Sequence, residues 1–311
     1  MAQQAGTAEA MTEAAGLYPI RTVSSLTGVN SVTLRAWERR YGLIQPQRTA
    51  KGHRLYTRED IERIQRVVSL LNQGISIGQV KPLVEDTAAT AAQLAQPAHA
   101  DEWQRYRSRL LHAIERFDES ALDSAYNDAL SLYPVDLVIR NLATPLLQHL
   151  GDHWKERAAG IAEEHFFSVY LRNKLGTRLH HLNARGTGAL LLVACLPGEF
   201  HEIGMLFFAL TAVSHGYRVL PLGANLPLEQ IPAVLERRPC DAVVLSGSAR
   251  PARGLFETQL PVLAASVSVP VFVGGAITPR HDQAIIATGA IPIGHEFQAA
   301  LQQLRLRLQK P

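Results

Sequence analysis

The feature that most restricts the fold is an alternation that begins near residue 189. "ALLLVACL", "YRVLPLG", "DAVVLSGS", "VPVFVGG" and "AIPIG" are short apolar or β-branched runs, separated by segments of helical length. Runs without a polar face suit strands covered on both sides, and helix-length connections let such strands lie parallel. Residues 185–311 are therefore expected to form a five-stranded parallel sheet with helices on both faces. In such sheets ligands bind beyond the carboxyl ends of the strands, where Gly-rich loops gather.

Five strands in this length fit a flavodoxin-like, doubly wound α/β domain. Upstream the texture differs. "WQRYRSRLLHAIERF", "ESALDSAYNDALSLY", "VDLVIRNLATPLLQHLGDHW" and "AEEHFFSVYLRNKLGTRLHHLN" repeat apolar residues at helical spacing, which predicts a four-helix bundle over residues 102–184. Between its third and fourth helices, "RAAGIA" is expected to turn the chain. Trp154 would then end one helix, with Glu164 and His165 near the start of the next. Residues 86–101 are small, polar and Pro-containing, a linker in composition, and residues 1–16 read as disordered.

Residues 17–85 have helix–turn–helix organisation. "TVSSLTG" is a short helix ended by Gly28, and Asn30 or Ser31 can cap a second helix, "VTLRAWERRYG". "QRTAKGHRLYT" follows as a β-wing turning at Lys51-Gly52. The formal net charge is only +3, yet positive charge concentrates between Arg35 and Arg66, so any nucleic-acid surface is local. The architecture expected is thus multidomain: an all-α winged helix-turn-helix head, a helical bundle and an α/β domain.

Two cysteines, Cys195 and Cys240, suit neither a disulfide framework nor a thiolate metal site, and both adjoin apolar runs. The N-terminus lacks a signal peptide's basic start and apolar core, and no run reaches membrane-spanning length. A soluble, cytoplasmic protein with no membrane partner is expected.

The segment from Thr33 closely resembles the MerR family of winged-helix regulators. The match runs through Thr33, Leu34, Arg35, Trp37, Glu38, Tyr41, Gly42, Leu43, Pro46, Arg48, Arg54 and Tyr56. The resemblance implies that Thr33, Arg35, Trp37, Arg39 and Tyr41 approach DNA, with the wing residues Lys51, His53, Arg54 and Tyr56. It also implies double-stranded operator DNA as partner, bound by a dimer or larger homo-oligomer. The thiolate ligands of the metal-sensing members are missing.

In the α/β segment, "GEFHEIG" places His201 on a ligand-binding rim, with Glu199 two positions earlier. A carboxylate there fixes the imidazole tautomer and raises its basicity as a metal ligand. Glu199-x-His201-x-x-Gly204 resembles the D/E-x-H-x-x-G signature of cobalamin-binding domains. The resemblance implies that His201 is the lower cobalt ligand and that Ser246 hydrogen-bonds the cofactor's displaced base. Ser248 stands where that family has Leu, and Gly204, Gly274 and Gly275 would admit the nucleotide tail.

Trp154, nine residues, then Glu164-His165 is similar to the W-x9-E-H motif of the cobalamin-dependent MerR photoreceptors, the CarH/LitR group. That resemblance covers all three segments. It implies adenosylcobalamin as cofactor, with Trp154, Ile161, Glu164 and His165 beside the adenosyl group. It further implies a non-enzymatic repressor that holds operator DNA as an oligomer in the dark and releases it after light cleaves the cobalt–carbon bond. In the group a His follows the Trp and ligates cobalt after illumination; here that position is Lys155, so water or His153 is expected in its place. A cobalamin-level sensor without photochemistry is the alternative, and a corrinoid methyl-carrier is the rival from another class.

Overall fold

The computed structural model describes residues 16–85, 98–153, 158–184, 187–247 and 251–308. Trp154, Lys155 and Ser248 lie outside these residues, as do most of the expected disordered terminus and linker. Internal contacts divide the chain into two compact units, Met1–Phe167 and Ser168–Pro311.

In the first unit, β1 (Tyr18–Pro19) leads into α1 (Ile20–Thr27), which Gly28 ends in the left-handed conformation, φ +70°. Asn30 then caps α2 (Ser31–Ala36), its side-chain oxygen accepting from the N–H groups of Val32 and Thr33. The helix widens to a π-helical turn over Trp37–Tyr41 and stops at Gly42. β2 (Gln47–Arg48) and β3 (Arg54–Tyr56) form the wing, and β1 pairs with the other edge of β3. Gly52, at φ +80°, donates to the Thr49 carbonyl in the wing turn. Thr57 and Asp60 exchange capping hydrogen bonds at the start of α3 (Arg58–Asn72), and α4 (Val80–Glu85) follows.

The bundle helices are α5 (Ala98–Glu115), α6 (Glu119–Leu132) and α7 (Val135–Val138). The last runs through a wide turn, Ile139–Ala143, into α8 (Thr144–His153). The chain turns before α9 (Gly160–Asn183), which runs from the first compact unit into the second.

The second unit contains β4 (Leu190–Cys195), α10 (Ile203–Ser214), β5 (Arg218–Gly223), α11 (Ile231–Arg237) and β6 (Ala242–Ser246). After them come α12 (Leu260–Ser266), β7 (Val271–Gly274), α13 (Thr278–Ala287), β8 (Ile291–Pro292) and α14 (Phe297–Leu308). The sheet is parallel throughout, in the order β5-β4-β6-β7-β8. Every residue of β4 is buried, as its unbroken apolar run requires. Met205–Val213 of α10 is buried as well, so this helix needs no polar face. The two cysteines are unpaired and buried. At the far edge β8 has only two residues, which offers little ladder to a foreign strand.

The reading head is fastened to the bundle through residues expected to touch DNA. Trp37 is 0 % exposed, and its Nε1–H donates to the Leu132 carbonyl at 2.8 Å. Thr33, equally buried, donates its hydroxyl to the Leu130 carbonyl at 3.1 Å. Both bonds end on last-turn carbonyls of α6, groups that lack intrahelical donors. Trp37 and Thr33 are therefore struts and not DNA contacts. Trp37→Phe keeps most of the apolar volume but removes a buried donor, and should destabilise the first unit by about 1–3 kcal/mol. Urea denaturation followed by circular dichroism checks this; an unchanged midpoint would contradict the strut.

Candidate cofactor site and DNA-binding surface

The strand order reverses beside β4: its crossover helix α10 leads to β5 on one side, while β6 lies on the other. This switch point opens a crevice at the carboxyl ends of β4 and β6. The loop from Leu196 to Glu202 borders it. The Glu199 carboxylate, 4 % exposed, accepts both the His201 backbone N–H and the ring Nδ1–H at 2.7 Å. The imidazole itself is 76 % exposed. The buried carboxylate holds the proton on Nδ1 and leaves the Nε2 lone pair on an accessible ring, the state of an imidazole prepared to ligate.

Three contacts hold this loop in place. Asn225, at φ +50°, donates its backbone N–H to the Glu199 carbonyl at 2.8 Å, and its side-chain oxygen accepts from Gly198 N–H at 2.8 Å. Arg172 on α9 pairs with Glu202 at 3.0 Å. Beneath the loop, burial and the nearby carboxylates of Glu199 and Glu202 push the Cys195 thiol up to about 12. That thiol stays protonated and does not compete as a ligand.

Glycines shape the rest of the rim. A Cβ on Gly204 would stand 3.9 Å from Ser246 Oγ, so a side chain there would narrow the gap between α10 and the end of β6. Gly275, at φ +100°, has a different cause from the one expected. A Cβ on it would lie 2.4 Å from the Gly247 carbonyl oxygen, so its bare Cα serves the packing of two loops and not contact with a ligand. Gly274 is similarly crowded by Ile293 and Gly294.

Among the described residues no group of three or more His, Cys, Asp or Glu is placed to hold a metal ion. A single prepared imidazole over a glycine-shaped crevice fits a metal whose equatorial positions are filled by its own macrocycle. Glu164 is partly buried and His165 exposed, with His165 Nε2 3.7 Å from the Glu164 carboxylate; Ile161 is exposed. His153, exposed at the end of α8, engages the His149 carbonyl through Nδ1 at 2.8 Å.

On the head, the outward face of α2 and its π-helical turn carries Arg35, Arg39 and Arg40, with Val32 57 % exposed beside them. Lys51 and His53 are exposed at the wing turn, while Tyr41 is half-buried. Such a helix face and loop suit a major groove and the adjoining phosphates. Tyr56, expected to approach DNA, is 0 % exposed, and burial pushes its phenol up to about 12; it belongs to the core. Arg54 is held by Glu38, which also takes Arg48 at 2.9 Å, so Arg54 braces the wing against the reading helix. Sequence reasoning missed the roles of Glu38, Arg172 and Asn225. Nothing in the "GANLP" turn, residues 223–227, marks its Asn as the residue that fastens the His201 loop.

A winged reading head, a helical module and a doubly wound sheet with a prepared histidine define a MerR-type transcription regulator that carries a corrinoid-binding module. Residues 18–87 match the MerR HTH family regulatory protein model, and residues 106–178 match the B12 binding domain model. The chain is 34 % identical over 295 residues to the HTH-type transcriptional repressor CarH of Myxococcus xanthus, covering 90 % of this chain and 95 % of that one. It is 30 % identical over 298 residues to the HTH-type transcriptional repressor CarA of the same organism, covering 94 % and 99 %. The chain therefore belongs to the CarH/CarA family of cobalamin-dependent transcriptional repressors, regulators and not enzymes. The monomethylamine corrinoid protein of Methanosarcina barkeri shares the fold, with a TM-score of 0.51 at 21 % identity, over 65 % of this chain and 99 % of that one. No helix among the described residues is long and apolar enough to cross a membrane.

Burial opposes ionisation of Glu38, but Arg54 and then Arg48 outweigh it and hold its carboxyl below the ordinary 4.5. A lowered native pKa contributes stability that is present above the unfolded value and lost as pH falls through the native one. Glu38→Gln should therefore cost about 1 kcal/mol at neutral pH and flatten the stability profile below pH 4.5, as read by urea melts from pH 3 to 7.

Proposed function

We propose that this protein is a light-responsive repressor that binds operator DNA as an adenosylcobalamin-stabilised homo-oligomer in the dark and releases it on illumination. The single observation that carries the reading is the Glu199–His201 pair at the switch point of the sheet. Family membership with the repressors CarH and CarA supports the output, and the Trp154…Glu164-His165 spacing supports the adenosyl form. The cofactor supplies, when bound, a cobalt–carbon bond that visible light breaks.

The chain's own residues do the rest. His201 offers Nε2 to the cobalt, and Glu199 fixes the tautomer and orientation of the ring. Ser246 and Gly204 receive the displaced base and its tail, with Ser248 and Gly274 completing that rim. Trp154, Ile161, Glu164 and His165 contact the adenosyl group and select it. Arg35, Arg39, Tyr41, Lys51 and His53 meet the operator. Because several reading heads act together, losing the oligomer weakens operator binding without altering any one head. With Lys155 in the place of the family's second histidine, the site after illumination would lack that imidazole and take water or His153 instead.

Glu199→Gln should lower cobalamin affinity about 10–100-fold, and His201→Ala should yield colourless protein; absorbance of the purified variants checks both. With an operator selected from random DNA, illumination of the adenosylcobalamin complex should weaken binding about 100-fold or more and reduce the mass in size-exclusion chromatography. Equal binding in dark and light, with loss only on cofactor removal, would favour a cobalamin-level sensor, a reading to which Lys155 lends support.

A further inference from the structure

We propose that a cavity between the reading head and the bundle, within the first compact unit, binds a small organic anion with a flat apolar body. The cavity measures about 700 Å³, within the range of small-molecule sites. Its polar wall is formed by Arg107 on α5, Arg140 in the wide turn before α8, and Asn72 at the end of α3. Among the described residues no Asp or Glu lines it. Arg107 Nε is buried without a hydrogen-bond partner, and Arg140 reaches only the neutral Asn72 side chain, at 3.0 Å.

A guanidinium N–H removed from water and left unpaired costs free energy, and a carboxylate or phosphate offers it a charge-assisted, two-point bond. Arg107, with its buried and unpaired Nε, and the exposed Arg140 face one space without a counter-charge among the described residues, which points to an anionic occupant. The apolar wall defines its body. Trp103, 5 % exposed, is braced by Tyr133 at a ring separation of 4.6 Å and lines the cavity with Leu71 and Leu111. A ring stacked there would leave its acidic group to the two arginines.

The position gives the site a consequence. Leu71 and Asn72 belong to the reading head, while Arg107 and Arg140 belong to the bundle. An occupant would tie the two together beside the Trp37–Leu132 strut and would change operator affinity independently of the corrinoid.

Isothermal titration calorimetry of the full chain, loaded with adenosylcobalamin in darkness, tests this with 1-naphthyl phosphate. Saturable binding at one site is expected, at least tenfold weaker for neutral 1-naphthol and at least tenfold weaker in Arg140→Gln and in Arg107→Gln. Arg140 is exposed, so its variant should fold even if Arg107→Gln does not. Absence of binding, equal binding of 1-naphthol, or naphthyl phosphate binding unchanged in Arg140→Gln would overturn the proposal. So would an Arg140→Gln variant that loses affinity for random-sequence duplex DNA alone, which would make the cavity wall a phosphate-backbone contact.

Discussion

The reversal of strand order beside β4 is the constraint on which the corrinoid site depends. A parallel sheet wound in both directions from one central strand leaves a crevice where two neighbouring loops part, and the loop after β4 borders it. Every β4 side chain is buried, so the strand has no freedom to slide without exposing apolar surface. The loop that leaves it inherits that rigidity. Asn225 from the neighbouring β5 loop and Arg172 from the long bundle helix then fix it from two sides. A ligating imidazole carried by such a loop loses little conformational freedom on binding.

The reading head shows the same economy in a different form. Its aromatic and hydroxyl residues Trp37, Tyr56 and Thr33 all turn inward, and Trp37 and Thr33 spend their donors on unsatisfied carbonyls of a bundle helix. The outward face is left to long basic side chains, which carry charge to phosphates at small cost in burial. Glu38 separates the two roles among the arginines: those it holds shape the wing, and those beyond its reach remain on the surface.

Much of this was legible in the chain. The period of the apolar residues distinguished bundle from sheet, and the motif Glu199-x-His201-x-x-Gly204 marked the loop with the prepared histidine. What failed was the direction of side chains on short elements. Trp37 among arginines reads as a DNA contact because α2 and its wide turn are too brief for periodicity to declare a buried face. Gly275 read as a ligand contact because a glycine at a strand end looks the same whether its bare Cα faces a cofactor or, as here, another loop 2.4 Å from where a Cβ would be.

The sequence by itself determined the order and type of the elements, the parallel sheet, and the histidine with its carboxylate two residues away, because these rest on local spacing. Only the tertiary structure decided that Trp37 and Tyr56 are core, that Arg54 is spent on Glu38, and that Asn225 and Arg172 fasten the His201 loop. It alone brought Arg107 and Arg140 to one cavity. Each of these depends on residues far apart in the chain meeting in space, and no local period encodes such a meeting.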